Sequence, residues 1–143
     1  MRRLRDDDGS MLPLTIFFGF LSLVLVLLVV AATSLYLERK RLFTLADGAA
    51  LVGAEAFELA DVTATPDGVR AQLRSGDVAA AVADYVAQHP ADFDALAIRH
   101  AGSDDRRSAT VTLSAIWHPP ILSPLVPAGV PIEVTAVARS VFS

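Results

Sequence analysis

From Leu12 to Ala32 the chain runs LPLTIFFGFLSLVLVLLVVAA, 21 residues without a formal charge, relieved only by Pro13, Thr15, Gly19 and Ser22. A bilayer core of about 30 Å takes about 20 apolar helical residues to cross. Each Leu, Ile, Phe or Val favours insertion by about 0.3 to 0.6 kcal/mol near the helix centre. The pattern therefore predicts a single transmembrane helix over 12–33, with the rest of the protein on one side. A secretory signal has a shorter apolar region, about 7–15 residues. Val30-Ala31-Ala32 matches a cleavage site only weakly, so the stretch reads as an anchor.

Beyond the span, no proline interrupts Thr33 to Ala60, and apart from Gly48 and Gly53 the residues are good helix formers. The helix is expected to continue over 34–60, preceded by a charged flank over 1–11. Its projecting half is rich in small residues at spacings of three and four. Leu45, Ala46, Ala49, Ala50, Gly53 and Ala56 form an expected helix-packing face, because small residues let another element approach the helix axis closely. Two occupants remain open: the protein's own domain, or neighbouring copies and partner helices.

The remaining residues, 61–143, suffice for one small domain. Thr65-Pro66-Asp67 reads as a helix start running to Arg74, and Asp77 as the cap of a second helix that Pro90 ends. Three strands are expected after it, over 94–101, 108–117 and 132–142. The second places Ala109, Val111, Leu113, Ala115 and Trp117 on one face against Thr110, Thr112 and Ser114 on the other. That period of two marks a half-buried antiparallel sheet. Gly102 to Arg107 reads as a polar hairpin loop. The expected fold class is α+β: a long membrane helix, one or two short helices and a three-stranded antiparallel sheet.

The connection HPPILSPLVPAGVP, 118–131, holds five of the eight prolines, so it cannot join a sheet ladder, yet its side chains are apolar. Ile121, Leu122, Leu125 and Val126 either fold over the open end of the sheet or touch a partner or the membrane surface.

Charge and chemistry narrow the function. Three arginines precede the span, while Arg39, Lys40 and Arg41 follow it, so charge counting leaves orientation open. There is no cysteine, which excludes disulfides and thiolate metal sites. A net charge of −4 without a basic stripe argues against nucleic acid as a partner. His89, His100 and His118 lack neighbours at metal-ligand spacing. Asp104 and Asp105 read as solvated turn residues. No nucleophile elbow, phosphate loop or carboxylate pair stands in a recognisable frame. The expectation is a protein with no catalytic residue, metal or cofactor.

Three pieces of the chain resemble the TadE/TadG-like proteins of the tight-adherence (Flp pilus) machinery, which are pseudopilin-like membrane proteins. They are DDGSMLPL ahead of the apolar helix, LYLERKRLFTLADGAALVGAEAF beyond it, and the terminal IEVTAVARSV. The resemblance implies a pilin-like fold in the bacterial cytoplasmic membrane, the N-terminus inside and the C-terminal domain extracytoplasmic. It also implies leader cleavage between Gly9 and Ser10. One departure is that pilins carry Glu five residues into the mature chain, where this sequence has Leu14. Two functions are carried forward: a non-catalytic structural or accessory component of a pilus or secretion apparatus, partnered by its assembly proteins or by further copies in a filament; or a membrane-tethered extracytoplasmic binding or sensing module.

Overall fold

The computed structural model describes residues 11–56, 62–65, 68–71, 73–89, 91–121, 123–124 and 126–139; for 62–65 and 68–71 it describes the backbone alone. Helix α1, Met11–Glu55, is continuous over 45 residues, a length of about 67 Å at 1.5 Å per residue. Pro13 stands in its first turn, where a missing N–H breaks no helical bond. It ends at Glu55 and not at Ala60. The Ala56 N–H donates to the carbonyl of Gly53, three residues back, at 3.2 Å, so the last turn tightens and the ladder stops. Residues 57–60 lie outside the described residues.

Strands β1 (Val62–Thr65) and β2 (Gly68–Ala71) form an antiparallel pair from Val62↔Ala71 to Thr65↔Gly68. The helix expected from Pro66 to Arg74 is therefore corrected to a two-stranded ribbon. Three of the four residues in Val62-Thr63-Ala64-Thr65 are β-branched and favour extended backbone. Pro66 suits a turn start as well as a helix start.

Helix α2, Ser75–Gln88, begins two residues before its expected cap at Asp77. Its N-cap is Arg74, which makes no side-chain capping bond, and Asp77 lies within the first turn, where a carboxylate suits the helix dipole. Ser75 ties the helix to the sheet: its Oγ donates to the Ser103 carbonyl at 3.0 Å and accepts from the Ser103 N–H at 3.1 Å. At the other end the His89 N–H donates to the Tyr85 carbonyl.

Strands β3 (Asp94–Gly102), β4 (Ser108–Trp117) and β5 (Val130–Arg139) form one antiparallel sheet in that order. β4 and β5 pair without interruption from Ser108↔Arg139 to Trp117↔Val130. β3 is irregular, with register shifts between Asp94 and Ala97 and between Ile98 and His100. The inner face of the sheet packs on α1, and α2 packs on α1 and β3. Alternate residues of β4 and β5 are buried, as the period of two predicts. Leu42, Leu73, Val78, Val82, Val111 and Leu113 are the largest fully buried side chains.

Candidate functional site

The projecting half of α1 is where the expected binding features gather. Ala46, Ala49, Ala50 and Gly53 are buried, together with Leu42 and Ala54, while Leu45 and Ala56 are half-buried. What covers this face is the protein's own domain. A methyl added at Gly53 would lie 3.1 Å from Val78 Cγ1, 3.3 Å from Val82 Cγ2 and 3.3 Å from Ala109 Cβ. One added at Gly48 would run into the ring of Tyr85, 3.0 Å from Cζ. The small residues are thus the places where α2 and β4 come closest to the helix. Of the two occupants left open by the sequence, the own-domain one is present.

The opposite side of the same segment is open: Leu37 is 53% and Leu51 54% exposed, while Tyr36 at 64% and Phe43 at 46% stand on its flank beside β5. Leu37, Thr44 and Leu51 stand seven residues apart and form a row along the outer helix surface, and Tyr36 and Phe43, also seven apart, form a second row along the groove beside Val134 and Thr135. In the sequence these rows are masked by the more conspicuous small residues of the same helix. The i, i+7 spacing was the available signal.

The Pro-rich connection is placed by its ends. Trp117, the last residue of β4, donates from Nε1 to Ser34 Oγ of α1 at 3.2 Å across 83 residues of sequence. Gly129, with φ of +65°, sits at the far end, where its N–H donates to the Val126 carbonyl at 3.1 Å. Between them Ile121 is 50% exposed and Val126 half-buried. Leu122 and Leu125 lie outside the described residues, as do Gly9 and Ser10.

Grooves flank α1 among the described residues. One of about 520 Å³ lies between it and the end of α2, lined by Glu38, Arg41, Thr44, Tyr85, Asp92 and Phe93. Another, about 300 Å³, is lined by Tyr36, Arg39, Lys40, Phe43, Val134 and Thr135. The first mixes both signs of charge with the Thr44 and Tyr85 hydroxyls, and neither lining includes a histidine. His89 stacks on Tyr85 with ring centroids 4.1 Å apart, and its Nδ1 lies 2.9 Å from the Tyr85 carbonyl. His118 faces Asp94 at 3.4 Å. Among the described residues no three metal-ligating side chains gather.

Asp105 is more than a solvated turn residue. Its Oδ1 accepts from the N–H groups of Arg107 at 2.9 Å and Ser108 at 2.7 Å, and its Oδ2 accepts from Ser108 Oγ at 2.8 Å. The Arg107 and Ser108 N–H groups, followed by the Ser108 hydroxyl, lower its pKa from 3.8 to about 2. Here the carboxylate organises the β3–β4 turn.

The helix segment is similar to one family pattern. Residues 9–56 match the Tad family model, described as "Putative Flp pilus-assembly TadE/G-like". The likeness is thus confined to about a third of the chain. The match ends at Ala56, one residue past the end of α1, so the likeness covers the helix and stops where the domain's remaining elements begin. The matched segment contains a helix long and apolar enough to cross a membrane, with a mean hydropathy of 2.9 over its most apolar window. No curated protein and no solved structure matches the chain.

Proposed function

We propose that this protein is a non-catalytic, minor pseudopilin-like component of a Flp/Tad-type pilus or secretion apparatus, working through helix packing and protein–protein contacts. The observation that carries the proposal is the TadE/G-like match along α1. The outer rows of the helix give it a physical basis. Its small-residue face is taken up by its own domain, so Leu37, Leu51 and Val52, with Tyr36 and Phe43 on the flank, are apolar positions open to a neighbouring helix or assembly protein. The chain passes once through the cytoplasmic membrane with its C-terminal domain outside. Its partners are other assembly proteins or further copies.

A photo-crosslinking residue at Leu51, in the native membrane, is expected to capture a second chain. The same residue at Ala49 is expected to yield contacts within the protein. Leu51 adducts confined to the protein itself, with piliation unchanged when the gene is deleted, would count against an assembly role. Intact mass separates the two forms of that role: a chain starting at Ser10 is a processed pseudopilin, and one retaining Met1 or Arg2 is a permanent accessory anchor.

A further inference from the structure

We propose that the Pro-rich connection between β4 and β5 is a second membrane contact, seated in the boundary between lipid headgroups and acyl chains beside the transmembrane helix. The argument begins with direction. β4 runs antiparallel to the projecting half of α1: Ala109 packs near Gly53 at one end, and Trp117 bonds to Ser34 at the other. From Gly53 to Ser34 the helix rises about 28 Å, and from Ala109 to Trp117 the strand covers about 27 Å. The strand therefore descends the helix almost to its membrane end, and the connection emerges there.

The level is set by Ser34 and Ala31. Ser34 follows Ala32, the end of the apolar run, by two residues, about 3 Å of helix rise, and precedes the first charge at Glu38. Ala31 belongs to that run, yet it packs against the domain's core. The domain thus touches a residue of the apolar span itself, and chain leaving β4 at this level has the bilayer surface as its immediate surroundings.

The composition fits that surface. From Pro119 to Ile132 there is no charged residue, and Ile121 presents half of its side chain outward. The exposed Tyr36 stands at the same end, where amphipathic aromatic rings favour the interface, while Trp117 is buried beside it against Ser34. Arg39, Lys40 and Arg41 follow one to two turns further along α1, within reach of lipid phosphates. At the far end of the sheet, by contrast, the 104–107 turn is wholly polar and exposed. The turn end is polar throughout, whereas the other end carries the uncharged connection, its nearby Asp94 facing His118 at 3.4 Å, and it is this end that meets the membrane.

This inference rests on the reading of 12–32 as a span, and the experiment separates the two. The full chain has no cysteine, so I121C accepts a single environment-sensitive fluorophore, and D104C serves as the water-exposed reference. Both are reconstituted into phosphatidylcholine–phosphatidylglycerol vesicles. The label at position 121 is expected to emit to the blue of that at 104. It is expected to be quenched by lipids carrying a nitroxide near the head of the acyl chain, and to resist aqueous iodide. A label at 121 quenched by iodide and ignored by the lipids would overturn the inference while leaving the span intact. Shielding from both quenchers would assign the loop to a protein partner and overturn it too. Failure of the chain to float with the vesicles would overturn the span as well. The unsubstituted chain gives an independent reading, since Trp117 is its one tryptophan. Shallow brominated lipids are expected to quench it more than deep ones, and no preference between them would refute the placement.

Discussion

Gly53 offers the sharpest test of the packing between α1 and its domain, because two effects of a single methyl oppose each other there. In a helix interior alanine is favoured over glycine by about 1 kcal/mol. At Gly53 the new methyl would meet Val78 Cγ1 at 3.1 Å and both Val82 Cγ2 and Ala109 Cβ at 3.3 Å, inside the separation of about 3.5–4.0 Å at which carbon atoms rest. All three neighbours belong to fully buried residues on two different elements, so none can swing away. Overpacking of this kind costs about 1–3 kcal/mol, so the net effect of Gly53→Ala is a loss of about 0–2 kcal/mol. Gly76 on α2 provides the control, since an added methyl there has no heavy atom within 4 Å. Gly76→Ala keeps only the propensity gain, at most about 1 kcal/mol. For a domain of this size each kcal/mol moves the midpoint by about 4–8 °C. The assay is thermal unfolding of the full chain in detergent, followed by Trp117 emission. The midpoint of Gly53→Ala is expected below that of the wild type, and that of Gly76→Ala at or above it. A rise at Gly53 equal to that at Gly76 would refute the close approach of α2 and β4 to the helix.

Three further outcomes are expected. The Asp105 carboxyl has a lowered pKa in the fold, about 2 against 3.8; its contribution is therefore fully present above 3.8 and disappears as the pH falls through 2. Wild-type stability is expected to decline more steeply than that of Asp105→Asn between pH 4 and 2, and parallel acid curves would contradict this. Ser34→Ala removes the acceptor of the Trp117 indole N–H; a loss of about 0.5–1.5 kcal/mol and a shifted Trp117 emission are expected, both readable in a denaturant titration. Gly129→Ala places a methyl at φ of +65°, 2.9 Å from the Trp117 carbonyl oxygen and against Ile116. The left-handed conformation alone costs about 1–2 kcal/mol, so a midpoint lowered by several degrees is expected in a thermal scan.

Much of the architecture follows from local chemistry. The uncharged run from Leu12 to Ala32 must be buried in something apolar. The alternation in β4 and β5 must present one face to a core. Each constraint acts on consecutive residues, so the sequence alone determines the long helix, the sheet and the small-residue face. Where two local structures shared a start signal, at Thr65-Pro66, the choice of strand over helix depended on pairing between Val62–Thr65 and Gly68–Ala71, and pairing is a tertiary property. The same holds for the start of α2, where Ser75 is committed to Ser103 across 28 residues. Which side of α1 faces a partner was likewise undecidable from spacing, because small and large residues alternate around the same helix. Only closure of the domain showed that Ala49 and Gly53 are spent inside the chain and that Leu37 and Leu51 remain outside. Finally, the sequence marks the Pro-rich connection as apolar and non-sheet, but its level depends on β4 running antiparallel to α1 and matching its length. That relation between segments 83 residues apart, held by Trp117 and Ser34, exists only in the folded molecule.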